Sequence, residues 1–111
     1  MNKVLIELEQ QIEDDFNEDD FENLARKTSI SLNNSDDYIK LATICRWAGF
    51  SDEQRAIDLA CDFVDRAIET CISNNDIQKL EDIIFELEKG MELDERAFEV
   101  REIISNFKNF F

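Results

Sequence analysis

Seven of the ten residues in EDDFNEDDFE, positions 13–22, are acidic. Carboxylates at that density suit three kinds of chemistry: chelating a hard cation, passing protons in acid–base catalysis, or presenting negative charge to a basic partner. Chelation has a strict template. A calcium loop of the EF-hand type alternates oxygen ligands, needs Gly at its sharp turn and closes on a bidentate Glu. Asp15, Asn17 and Asp19 fit the alternating ligands, but Asp20 stands at the glycine position and Arg26 where the closing Glu belongs. A cation there repels the metal, so no calcium site is expected.

Acid–base catalysis finds equally little support. The chain has 27 acids, so carboxylate pairs are easily imagined, yet no spacing selects one. It contains no His, no G-x-S-x-G, no P-loop and no H-E-x-x-H. Cys45, Cys61 and Cys71 form no C-x-x-C pair and lie within helical apolar patterns, where reduced cysteine packs as a small hydrophobe. The expectation is a protein that is not an enzyme and uses no metal or cofactor.

The third use of the acids stands beside a purely structural one. Between Glu7 and Glu22 there are nine acids and no base. Glu13, Asp14 and Asp15 fall at the C-terminal end of a helical pattern, where a carboxylate opposes the helix dipole by a few tenths to about 1 kcal/mol. Uniform charge placed at such a cost suggests a surface for a basic partner, made of Glu13, Asp14, Asp15, Glu18, Asp19, Asp20 and Glu22. The structural alternative is a joint. Phe16 and Phe21 would lie about 140° apart on one continuous helix. A break with Asn17 as the cap of a new helix turns both inward and sets Glu18, Asp19 and Asp20 at the favourable end of its dipole.

The elements that must position these residues have a helical period nearly throughout. Leu5, Leu8, Ile12 and Phe16 form one buried stripe, and Phe21, Leu24, Ala25 and Thr28 a second. After the polar stretch NNSDD, with Ser35 expected as the cap, come Tyr38, Leu41, Ala42 and Cys45, with Gly49 as the terminating glycine. Ser51–Gln54 matches a capping box, and the helix it opens carries apolar residues on so wide a face that it should be central. Asn75–Gln78 reads as a weaker box opening a helix that stops at Gly90. Asp94 is expected to cap the last helix, with Ala97, Val100, Ile104 and Phe107 facing inward. The result is an all-α fold: a compact bundle or stacked αα-hairpins of five to six amphipathic helices in one domain spanning residues 1–111. The alternation Ala60, Val64, Ala67 resembles the second helix of a tetratricopeptide repeat. That repeat's Trp, Gly, Tyr and Pro positions find no counterpart, and no family is assigned.

Charge limits the partners. Twelve bases leave a net charge of −15, which repels nucleic acid and anionic membrane and speeds encounter with basic surfaces. No apolar run is long enough to span a bilayer, and MNKVLIELEQ lacks the features of a signal peptide, so the expected location is the cytoplasm. Trp47 at its helix end is expected to plug the core. At the FKNFF end Phe107 belongs to the helical stripe, while Phe110 and Phe111 either fold back on the bundle or form an apolar docking point or homodimer seam. Two functions lead. One is an acidic inhibitor or immunity protein masking the basic surface of a nuclease or nucleic-acid-binding protein. The alternative is a helical adaptor, chaperone or small subunit that offers an apolar groove.

Overall fold

The computed structural model describes residues 5, 6, 8–10 and 17–110, the last four by backbone alone. All regular structure among them is helical. A short N-terminal helical segment includes residues 5, 6 and 8–10. It is followed by α1 (Glu18–Ile30), α2 (Ser35–Arg46), α3 (Glu53–Ser73), α4 (Ile77–Phe85) and α5 (Asp94–Phe110). Between α4 and α5 the helix widens into a π turn, Glu86–Gly90.

The fold is all-α, and its helices stack as αα-hairpins. α2 and α3 form one hairpin and α4 and α5 the next, with α1 packed on α2 and joined to α3 by ion pairs. The ion pairs give the directions. Arg55 reaches Glu18, Asp19 and Glu22 while Arg26 reaches Asp62, so α1 and α3 run parallel. Lys79 meets Asp36 at one end of α2 and α4, and Trp47 meets Gly90 at the other, so these two are parallel as well. One layer therefore holds α1, α3 and α5. The other holds α2 and α4, with the N-terminal segment tied on through Glu9 and Lys40.

α3 is central, as its wide apolar face requires. Ala56, Leu59, Ala60, Phe63, Val64, Ala67, Ile68 and Cys71 are all buried. Each large side chain among them contributes about 1.5–3 kcal/mol by leaving water. Cys45 is buried beside them, Cys61 is half-buried, and all three thiols are free. Desolvation raises the pKa of each, so they stay protonated in the neutral range.

Asn17 is the cap that the joint required. Its backbone is extended and its side-chain oxygen accepts from Asp20 N at 3.1 Å, while Phe21 is buried; Phe16 lies outside the described residues. Four other helix starts are shifted by one residue. Asn34, not Ser35, caps α2, because its amide both accepts from Asp37 N and donates to the Asp37 carboxylate, while Ser35 turns inward. Asp52, not Ser51, caps α3 through Gln54 N and Arg55 N, and the Gln54 amide goes to Asp58 rather than back to the cap. Asp76 caps α4. Asn75 instead takes φ +54 to end α3, a conformation that asparagine tolerates better than most residues. Asp94 is the first residue of α5, and the Leu93 carbonyl accepts from Ala97 N. Gly49 does take the left-handed conformation, at φ +99.

Trp47 does not plug the core. It is 49% exposed, donates Nε1–H to Gly90 O at 2.6 Å and stacks on the Arg46 guanidinium at 4.3 Å. Arg46 is the buried partner. Its Nε–H bonds Met91 O and its head pairs with Glu53, so charge and backbone acceptor are both satisfied and the π turn is clipped to α2.

Candidate protein-binding surface

Because α1, α3 and α5 run parallel, their N-termini emerge on one edge of the molecule. Each start carries carboxylates that suit the positive end of its dipole. These are Glu18, Asp19 and Asp20 on α1, Asp52 and Glu53 at α3, and Glu92, Asp94 and Glu95 at α5. The edge gathers negative charge that is scattered along the sequence.

The sequence-derived surface divides in the structure. Glu18, Asp19 and Glu22 converge on Arg55, at 3.6, 2.7 and 3.2 Å. Glu18 also accepts from Ser51 N and Ser51 Oγ at 2.5 and 2.6 Å. These Ser51 bonds first, and then Arg55, hold the Glu18 carboxyl below its ordinary range; Asp19 and Glu22 in turn raise the pKa of Arg55. Phe21 meets Phe50 edge-on at 5.8 Å, and Arg55 lies over Phe50. The described part of this stretch is thus a joint closed by a guanidinium, with Asp20 exposed beside it. Glu13, Asp14 and Asp15 lie outside the described residues.

A second acidic region was missed. Between α3 and α5 runs a cleft of about 500 Å³, lined by Gln54, Ile57, Asp58, Cys61 and the stretch from Glu92 to Arg96, with Glu99. Asp58, Glu92, Asp94, Glu95 and Glu99 are exposed, while buried Leu93 and half-buried Ile57 and Cys61 form an apolar floor. Arg96 is held by Asp65 and Glu99. The acids of residues 92–95 were visible in the sequence, but their approach to Asp58 follows only from the parallel packing of α3 and α5.

On the other layer, α2 and α4 flank a mixed groove of about 490 Å³ with Ile39, Ile83 and the 62% exposed Phe85 along it. Lys79 crosses its end to Asp36, and that contact raises the lysine pKa. Among the described residues no group of three or more His, Cys, Asp or Glu is placed to hold a metal ion, and no helix is long and apolar enough to cross a membrane. Comparison of the chain with protein-family models, with curated proteins and with solved structures finds no match.

Proposed function

We propose that this chain is a small acidic, non-catalytic binding protein of the inhibitor or immunity type. It masks a basic surface on a partner protein, such as a nuclease or a nucleic-acid-binding protein, in the cytoplasm. The observation that carries this reading is the shared edge of three helix starts, where exposed carboxylates outnumber the guanidiniums Arg46, Arg55 and Arg96 that lie among them. Such an edge attracts a cationic partner at long range and resists nucleic acid.

The test is affinity capture by the tagged chain from its native lysate, washed first at low and then at high ionic strength. A basic protein released by the salt step is the expected result, since exposed charge pairs are screened within about 10 Å at 0.1 M salt. A partner held unchanged through high salt, or the chain recovered only with itself, would overturn it.

The exposed Phe85 beside Ile39 and Ile83 favours the adaptor function as the second reading, with an apolar helix as guest in the α2–α4 groove. Phe85→Ser would then abolish capture, and salt would not.

A further inference from the structure

The two seams flanking α3 differ in how far their carboxylates are paired within the chain. In the α1–α3 seam the carboxylates at the start of α1 converge on Arg55, whose guanidinium lies 5.4 Å from the Phe50 ring centre. In the α3–α5 cleft the carboxylates at the start of α5 share an open groove with Asp58, and its lining cation, Arg96, is already engaged by Asp65 and Glu99. The groove is more than a charged rim. Its floor of Ile57, Cys61 and Leu93 offers an apolar bed for the methylenes of a long basic side chain, whose head then reaches the acids. Trp47, a residue type favoured at binding hot spots, is half-exposed and fastened to Gly90, two residues before Glu92 of the cleft.

We infer that the α3–α5 cleft receives a basic side chain, arginine in first place, from a protein partner. The partner supplies in trans the guanidinium that Arg55 supplies in cis across the α1–α3 seam. This rests on the reading of the chain as an acidic binding protein and names the surface that does the binding. It moves the contact away from Glu18, Asp19 and Glu22, which are engaged internally.

Trp47 is the only tryptophan, and it lies beside Glu53 at the start of α3 and is bonded to Gly90, so its emission reports binding along the edge of helix starts. The experiment titrates a hexa-arginine peptide into the full chain at low ionic strength and follows that emission. One variant, Asp58→Asn/Glu92→Gln/Glu95→Gln, removes three charges from the cleft. A control, Glu69→Gln/Asp82→Asn/Glu102→Gln, removes three exposed charges that lie outside both the cleft and the edge of helix starts. A third, Gln54→Arg, places a cation inside the cleft in cis.

The expected result is wild-type binding that the cleft variant and Gln54→Arg each weaken by about tenfold or more, and the control by less than about threefold. Equal weakening by the two triple variants overturns the cleft and leaves the basic-partner reading standing. No binding by the wild type overturns both. If the cleft variant loses its helical circular dichroism, Gln54→Arg decides alone, and unchanged affinity there overturns the inference.

Discussion

The seams on either side of α3 begin from the same materials: two parallel helices, acids at their starts and an apolar floor. In the α1–α3 seam Phe21 fills the floor at 2% exposure, and Arg55 draws three carboxylates together across the top. In the α3–α5 seam the floor residue Ile57 is only half-buried and the acidic rim stays open. One large aromatic and one guanidinium turn a charged cleft into a structural joint. Acid density alone therefore does not mark a binding surface; what matters is whether the chain's own cations reach the acids, as Arg55 does, while Arg96 is taken up by Asp65 and Glu99.

That contrast is broken most strongly at the aromatic. Phe21→Ala empties a buried site against Phe50 and should cost about 3–5 kcal/mol, whereas Ile57→Ala in the open seam should cost about 1 kcal/mol. Urea unfolding of the two variants checks the order, and equal losses would show that the seams are packed alike. A smaller effect is expected at the cation. Arg55→Gln leaves Glu18, Asp19 and Glu22 facing one another, so the midpoint of thermal unfolding should fall, and fall less in high salt, where the released repulsion is screened. A loss that salt does not reduce would mean that Arg55 acts by packing on Phe50 instead.

The helices and the central place of α3 could be read from the apolar period, because burial on a 3.6-residue repeat is a local property. The cap at Asn17 could be read for the same reason. The other starts lie one residue from their expected places where two capping residues stand side by side, as in Asn34–Ser35, Ser51–Asp52 and Asn75–Asp76, and the apolar period does not choose between them. Ser51 is drawn to Glu18, 33 residues away. Trp47 looked like a core residue because its true partner, the Gly90 carbonyl, lies 43 residues on, in a π turn with no sequence signature. The cleft was hidden for a related reason. Asp58 and the acids from Glu92 to Glu95 become neighbours only once α3 and α5 lie parallel.

The smallest expected effect isolates the electrostatic part of the closed seam. The Ser51 hydrogen bonds, and then Arg55, lower the folded-state pKa of Glu18 below its ordinary 4.5. A depressed carboxyl stabilises the fold above the unfolded value, and that stabilisation is lost as pH falls through the folded one. The advantage of wild type over Glu18→Gln should therefore be constant above about pH 4.5 and shrink steadily below it, because protonated Glu18 resembles glutamine. Ser51→Ala, which removes the Oγ–H donor but keeps the backbone N–H, should show a milder version of the same curve. Urea midpoints measured from pH 7 down to about pH 3 provide the check. A difference that stays flat across the acid range would mean that Glu18 holds the joint by shape and neutral hydrogen bonding, and that charge is not what separates the closed seam from the open one.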